Sequence, residues 1–348
     1  MKDTSAPSGD PHQKRPDLSG YHIVELENGE GRFLVPHVLW EVKNKVGDIC
    51  HKDDDSGRER HGGLERPGAN ARSHRGQLFG YAAQMMSEHP RLFLFVVFIF
   101  GDRARLLRVD RSGGIVTRSF SYKEEDHLSQ FLFRHSKLGN NHRGLDPTAV
   151  VATRAETKLL SKSLAAYKKR LAPRNTDYLD PTLNKDLPAY KIHIKSKTLA
   201  NEDIEFDLIV QLPFSDCQSL IGRCTRGYAA YHVQEKRLVF LKDCWRVDDE
   251  NTKSEVDIYR LLFAKDKNVT GLPDIIALGD VFHDGQLQTT LTQELANDPE
   301  PEAWFLGCNS LDRLVHVRIV QELAIPLESA KNSKEAVTSI RDAVVCKF

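Results

Sequence analysis

The sequence predicts an α+β protein in two parts, an N-terminal α/β module followed by a unit with an antiparallel sheet and one main helix. The run from Leu92 to Phe100 (LFLFVVFIF) is apolar throughout and rich in strand-forming residues, which is typical of a strand buried on both faces. Residues 219–262 follow the order strand, turn, strand and helix. Residues 173–188 contain three prolines and show no apolar period, which indicates a boundary between the two parts.

Composition narrows the classes of function. Forty-nine basic and forty-nine acidic residues cancel, so no global field draws the chain of 348 residues to nucleic acid or to a membrane surface. The longest apolar run has nine residues, well short of the roughly 20 that span a bilayer. The six cysteines are scattered without a C-x-x-C pair, which favours reduced thiols in a cytosolic or nuclear protein.

Residues 1–19 are predicted to be a disordered lead-in and residues 20–172 to form the N-terminal module. Two strands are expected in residues 20–45, on either side of a Gly-Glu-Gly turn. A polar loop over residues 47–74 and an amphipathic helix over residues 75–89 then precede the buried strand. The Ser-Gly-Gly sequence at residues 112–114 predicts a hairpin after that strand.

Two more helices are expected in the module. The sequence from Ser121 to Glu124 fits a capping box, followed by an apolar stripe that ends at His135, which we expect to be packed or solvated rather than a ligand. Residues 156–171 form a basic helix that is predicted to face solvent. The linker at residues 173–188 comes next.

The second unit, residues 189–348, is expected to begin with strands at residues 190–196 and 205–211. After the hairpin and its helix, further strands are predicted at residues 274–281 and 286–293. An acidic loop at residues 294–302 leads to a last strand that begins at Arg318. A helix carrying Val337, Ile340 and Val344 ends the sequence.

Lys242 and Glu255 are the first candidate functional residues, because the lysine lies near the end of the second hairpin strand and the glutamate begins the next helix. A lysine that binds phosphate oxygens needs a carboxylate to orient its flexible side chain. The alternative is an ordinary surface ion pair, which contributes little.

The strings LIGRCTRGY, LVFLKDCWR, EVDIYRLL and GLPDIIALGDV, with RGLDPT at residues 143–148, resemble the fungal-type protein kinase family over most of the chain. The resemblance implies a kinase-like small lobe and ATP-dependent phosphoryl transfer to serine or threonine of a protein, with magnesium as cofactor. It implies that nucleotide contacts the following residues: Gly222, Arg223, Thr225, Arg226, Lys242 and Glu255.

The sequence also departs from the family. No HRD or DFG string occurs, and the sequence ends at Phe348 before the place of a catalytic loop. Phe240 stands two residues before Lys242, where a small residue normally admits adenine. We therefore expect a chain that is inactive as it stands, a pseudokinase with weak or no binding of ATP and magnesium. A non-catalytic scaffold that binds protein partners is the alternative.

A second constellation lies in the N-terminal module. Pro16-Asp17 followed by Glu41-Val42-Lys43 resembles the P-D…(D/E)-x-K signature of restriction-endonuclease-like folds, and Gln77 on the next helix fits that pattern. In such nucleases Asp17 and Glu41 would hold magnesium while Lys43 orients the attacking water. The spacing is loose, so a retained fold with a non-catalytic role is the alternative.

Overall fold

The computed structural model describes residues 2–3, 18–25, 32–43, 50–51, 65–215, 219–265, 273–296 and 311–345. Helices and sheets are mixed, as the α+β prediction requires. The first half contains β1 (Lys2–Asp3), β2 (Leu18–Glu25), β3 (Arg32–Lys43), α1 (Ala69–Glu88), β4 (Phe93–Phe100), β5 (Arg103–Asp110), β6 (Gly114–Val116), β7 (Phe120–Ser121) and α2 (His127–Lys137).

The elements that follow are β8 (Ala149–Val151), α3 (Arg154–Leu171), β9 (Tyr190–Lys197), β10 (Asp203–Val210), β11 (Arg226–His232), β12 (Arg237–Val247), α4 (Glu255–Lys265), β13 (Ile275–Asp280), β14 (Phe282–His283), β15 (Gln286–Leu287), α5 (Thr292–Ala296), β16 (Leu314–Glu322) and α6 (Ser333–Val345). Short 3-10 helices lie at Asn141–Arg143, Asp177–Thr182 and Leu327–Ser329.

The first sheet has the order β1-β2-β3-β4-β5-β6, and β7 also pairs with β5. Strands β3 and β4 are parallel and connected through α1, while the other pairs are antiparallel. Helix α1 packs on one face of β4 through Leu78 and Met86, and α2 packs on the other face through Phe131. The prediction of a central strand buried on both faces is confirmed, and Glu41 and Lys43 lie on the neighbouring strand β3.

Two helix starts differ from the sequence prediction. Helix α1 begins at Ala69, before the expected start at Arg75, and from its second turn the Arg75 guanidinium donates to the Cys50 carbonyl at 2.9 Å. Helix α2 begins at His127 rather than in the capping box at Ser121. Ser121 pairs with Arg103 in the sheet, and its N–H donates to the Glu125 carboxylate at 2.8 Å. A turn therefore separates Ser121 from the helix.

The second sheet is antiparallel, as expected, and six of its strands close into a barrel. Its order is β10-β11-β12-β16-β13-β9, and β9 pairs again with β10 to close it. The closure between β13 and β9 rests on the Leu278–Lys197 pair, and β8 covers the rest of that edge of β9. Inward side chains such as Phe206, Leu241 and Val320 fill the barrel.

The strand predicted over residues 286–293 is only partly present. Strand β15 ends at Leu287, and α5 begins at Thr292. The Asp110 carboxylate, from the first sheet, accepts hydrogen bonds from the N–H groups of Leu291 and Thr292, both at 3.0 Å. An acidic group from the other half of the molecule thus starts a helix where the local pattern favours a strand.

Helix α3 packs on the outside of the barrel, although it precedes the predicted linker. Its Leu160, Leu164 and Tyr167 join a core cluster with Ala229 and Tyr231 of β11. A capping box of Thr153 and Glu156 starts the helix. The boundary at residues 173–188 stays a prediction. Among the helices of the described ranges, none is both long enough and apolar enough to cross a membrane.

The central position of β4 predicts a large effect of a charge at Val96, which is 1% exposed. Val96→Asp is expected to lower the free energy of unfolding by about 3–5 kcal/mol, because an unpaired carboxylate would be buried. Val150→Asp, at a strand position that is 54% exposed, is the matched control. Urea unfolding measures both variants, and a Val96→Asp protein as stable as the control would contradict the assignment of β4 as the central strand.

Candidate functional site

Lys242 and Glu255 form an ion pair on the outside of the barrel. The Lys242 ammonium donates to Oε2 of Glu255 at 2.5 Å. Both side chains are partly exposed, 22% and 32%, so solvent reaches the pair. Lys242 lies on the strand face that also carries Phe240 and Cys244, because side chains alternate along β12.

The start of α4 fixes the position of Glu255. Ser254 stands before the helix, and its hydroxyl accepts from the Asp257 N–H at 3.1 Å, while the Asp257 carboxylate accepts from the Ser254 N–H at 3.0 Å. This reciprocal capping places Glu255 in the first turn. Val256 of the same turn packs against Cys244 of β12, which directs Glu255 toward Lys242.

The loop before β11 is held by the N-terminal module. The Gly222 N–H donates to the Arg111 carbonyl at 2.8 Å, and the side chain of Leu220 lies in the core of the first sheet. The Trp245 N–H donates to the Arg223 carbonyl at 2.8 Å, which fixes the loop against the end of β12. Gly222 has a φ of 96°, which favours glycine.

The two arginines of this loop have different environments. Arg223 is 67% exposed, and its guanidinium lies 3.9 Å from the Glu255 carboxylate. Arg226 is buried; it donates to Asp243 at 2.7 Å and to the Met86 carbonyl at 3.0 Å. The structure therefore brings Arg223, Lys242 and Glu255 together and places Arg226 inside the protein. Gly222 and Thr225 are partly exposed in the same loop.

Phe240 lies next to Lys242 on the same face of β12. Its ring covers Gly227, the register partner of Lys242, so closely that a Cβ on Gly227 would lie 2.9 Å from the ring. The Phe214 ring packs against the Phe240 ring, with ring centroids 5.8 Å apart. The side chain that the sequence marked as an obstacle to adenine therefore packs into the space beside Lys242.

Asp243, on the opposite face of β12, is the centre of a buried network of charges. Its carboxylate accepts from Arg226 at 2.7 Å and from Arg318 of β16 at 3.0 Å, and Nε2 of His316 lies 3.1 Å away. Burial alone would raise the pKa of Asp243, but Arg226, His316 and Arg318 hold it well below its usual range. The carboxylate is therefore ionised inside the protein.

The string RGLDPT supplies the second acid of this network. The Arg318 guanidinium donates to Asp146 at 2.5 Å and to the Thr148 hydroxyl at 2.7 Å. The Asp146 carboxylate also accepts from the Thr148 N–H at 2.9 Å and from the Gln288 amide at 3.1 Å. Burial would raise the pKa of Asp146, yet Arg318 and the other donors lower it to about 2.

Sequence reasoning did not identify this network. The alternation in β12 was the available signal, since Val239 and Leu241 point into the barrel and Asp243 follows them on the same side. An acid in such a position must be paired to be tolerated. The identity of its partners Arg226 and Arg318 depends on strand pairing that sequence periodicity does not give.

The second constellation is only partly within the described residues. Asp17 lies outside them. Glu41 and Lys43 are on the same face of β3, in contact through an ion pair, and the Lys43 ammonium lies 3.4 Å from the Gln77 side-chain oxygen on α1. Among the side chains that the structure describes, no group of three or more histidines, cysteines or acids is placed to hold a metal ion.

Fold and site together define a mixed helix-and-sheet protein with a lysine–glutamate pair on the outside of an antiparallel barrel. The model of the family described as fungal protein kinase matches residues 61–347 of the 348-residue chain. The chain belongs to the fungal protein kinase family, as the resemblance of its motifs indicated. Comparison with curated proteins and with solved structures gives no match. Glu41 and Lys43 precede the matched residues.

The buried network predicts a dependence of stability on pH. Because the folded pKa of Asp146, about 2, lies below its ordinary value of 3.8, its contribution is complete above about pH 4 and is lost as the pH falls toward 2. Asp146→Asn is expected to lower the free energy of unfolding at pH 6 by about 3–5 kcal/mol and to flatten its decrease between pH 4 and pH 2.

Asp203→Asn is the control for this experiment, because Asp203 is 91% exposed in its pair with Lys197. It should change stability by less than about 1 kcal/mol. Urea unfolding between pH 6 and pH 2 measures both variants. Asp146 would not be held in this network if the two variants lost equal free energy of unfolding at pH 6. The same would follow if the stability of Asp146→Asn fell as steeply as that of the wild type between pH 4 and pH 2.

Proposed function

We propose that Lys242 is the phosphate-binding lysine of a protein kinase small lobe and that Glu255 holds it in position. The ion pair at 2.5 Å carries this proposal, because a strand lysine paired with a glutamate of the following helix is the arrangement with which kinases bind nucleotide phosphates. Membership of the fungal protein kinase family supports it.

The order of the strands supports the same proposal. Within the barrel, β10, β11, β12, β16 and β13 are consecutive neighbours, so the strand that carries Lys242 is central and flanked by β11 and β16. Helix α4 connects β12 to β13 and packs on the outer face through Val256 and Tyr259. A lysine on a central strand that a helix packs against is held in one position, as the binding of a phosphate requires.

The chemistry of the three side chains fits a phosphate. The Lys242 ammonium supplies a compact positive charge, and Arg223 supplies a planar guanidinium that suits two phosphate oxygens. Glu255 neutralises one of these charges, so the group carries a formal charge of about +1 at neutral pH. The buried Arg226 takes no part in this proposal, because Asp243 and the Met86 carbonyl already occupy its guanidinium.

Magnesium fits these residues less well than phosphate does. The ion bridges phosphate oxygens in kinases and is held by carboxylates and an asparagine. Glu255 is already bound to Lys242, and the described residues contain no acidic cluster for the ion. We propose that these 348 residues, whose sequence contains no HRD or DFG string, bind phosphate without transferring it. In the alternative proposal the chain is a scaffold for protein partners, and it would likewise transfer no phosphate.

We also propose the cytosol or the nucleus as its compartment. The six cysteines form no C-x-x-C pair, and Cys244 is a free thiol in the structure, which fits a reducing environment. Burial raises the pKa of the Cys244 thiol to about 11, which keeps it protonated beside the site.

Substitution of Lys242 tests the proposed phosphate clamp, which consists of Lys242, Glu255 and Arg223. ATP is expected to bind the wild-type chain weakly, with a Kd on the order of 0.1 mM or poorer without added metal. Lys242→Ala should weaken this binding about tenfold or more, since the remaining Glu255 carboxylate repels phosphate. Lys195→Ala, at an exposed lysine of β9, is the matched control. Calorimetric titration measures all three proteins, and equal affinity in Lys242→Ala and wild type would refute the clamp.

A nuclease-like role of the N-terminal module is a second candidate. The observation that favours it is the contact of Lys43 with both Glu41 and Gln77, beside a parallel strand pair that α1 connects. In this candidate Glu41 would contribute to binding magnesium and Lys43 would orient water. The proposal is independent of the Lys242 site.

Cleavage of plasmid DNA with magnesium or manganese tests this second candidate. If it holds, wild-type protein nicks the plasmid, and Glu41→Gln or Lys43→Ala lowers the rate about a hundredfold or more because metal binding and water activation are lost. Lys158→Ala, at an exposed lysine of α3, should cleave like the wild type. An inactive wild type, or full activity in Lys43→Ala, would remove the candidate.

A further inference from the structure

Lys242 lies in a gap between two helices that pack on the same face of the barrel. The side chains at residues 238, 240, 242 and 244 share this face, because they alternate along β12. Helix α3 covers the part around Leu238 and Phe240, and α4 covers the part around Cys244. Within the described residues, the gap between α3 and α4 is therefore the side from which a ligand of Lys242 approaches the sheet.

The surface beside Lys242 on the α3 side is filled by the protein itself. Phe240 covers Gly227, and both its neighbour Phe214 and the α3 residues Leu164 and Tyr167 belong to the same apolar cluster. A flat base bound next to Lys242 needs an apolar slot of this kind. The slot is occupied by side chains that together form a core.

The backbone that follows β16 is also engaged by α3. The Tyr167 hydroxyl donates to the Leu323 carbonyl at 3.4 Å, and Leu323 itself is buried in the cluster under α3. The Arg174 guanidinium binds the Glu335 carboxylate at 2.5 Å, which ties the end of α3 to α6. A base that took this carbonyl as its partner would meet the Tyr167 hydroxyl already bound there.

The open side of the gap is cationic. Arg223 is exposed there, and its loop is fixed by the hydrogen bonds of Gly222 to Arg111 and of Trp245 to Arg223. The guanidinium and the Lys242 ammonium both lie near Oε2 of Glu255, at 3.9 Å and 2.5 Å. A chain of phosphates can use both cations without entering the space under α3.

We infer that the Lys242 site takes an oligophosphate without a base, because α3 occupies the place where a base would lie. The inference rests on the proposed phosphate clamp and narrows its ligand class. The organic part of a phosphorylated ligand stays in solvent and contributes little to affinity. We expect that Phe240→Ala alone does not open the slot, because Leu164 and Tyr167 of α3 belong to the same cluster and stay in place.

Calorimetric titration of the 348-residue chain with sodium tripolyphosphate, ATP and adenosine, in the presence of a chelator, tests this inference. Tripolyphosphate and ATP should bind within about threefold of each other, and adenosine should give no heat of binding. Arg223→Ala and Lys242→Ala should weaken both phosphate ligands by the same factor, about tenfold. Lys195→Ala should leave both affinities unchanged.

The outcomes separate this inference from the proposed clamp. ATP that binds about tenfold or more tighter than tripolyphosphate, or adenosine that binds by itself, would overturn the inference and leave the clamp intact. Failure of both phosphate ligands to bind would overturn the clamp and with it the inference. Loss of ATP binding alone in Lys242→Ala, with tripolyphosphate unaffected, would also overturn the inference.

Hydrogen exchange gives a second readout that needs no substitution. A base that entered beside Phe240 would displace α3 and raise the exchange of its amides over residues 154–171. We expect saturating ATP to leave exchange in α3 unchanged and to slow it around Arg223. Faster exchange in α3 with ATP, but not with tripolyphosphate, would contradict the inference.

Discussion

The buried carboxylate of Asp243 is the interaction on which the arrangement of the two halves depends. An ionised acid inside a protein is tolerated only when donors surround it, and here Arg226 and Arg318 donate to Asp243 while Nε2 of His316 lies 3.1 Å away. Each of the two arginines continues to a group of the first half. Arg226 reaches the Met86 carbonyl, and Arg318 reaches Asp146. The barrel and the N-terminal module are therefore joined by buried charged groups, and separating them would cost a large amount of free energy.

The candidate site is positioned by the same network. Lys242 precedes Asp243 in β12, so the alternation of the strand turns one side chain to the outside as the other turns inward. The loop that carries Arg223 is fixed on one side by Arg111 and on the other by Trp245. The surroundings of Lys242, the proposed phosphate-binding lysine, are therefore fixed by hydrogen bonds. Helix α3, which packs on the same face of β12 around Phe240, belongs to a segment that precedes the barrel in the sequence.

Much of the local structure could be predicted because it depends on neighbours in the sequence. The buried strand β4, the hairpin of β11 and β12 and the helix that begins at Glu255 follow from apolar periodicity and from capping residues such as Ser254. The predictions failed where a distant group intervened. Asp110 starts helix α5 inside an expected strand, and the sheet pairing of Ser121 delays α2.

The sequence by itself therefore determined the order of elements, the family and the pairing of Lys242 with Glu255, since these depend on motifs and on spacing within one hairpin and helix. Only the tertiary structure decided that β9 closes the barrel, that Arg226 is buried while Arg223 is exposed, and that α3 packs over the part of β12 around Phe240. Those outcomes depend on which surfaces meet, and contacts between residues far apart in the chain leave no periodic signal in the sequence.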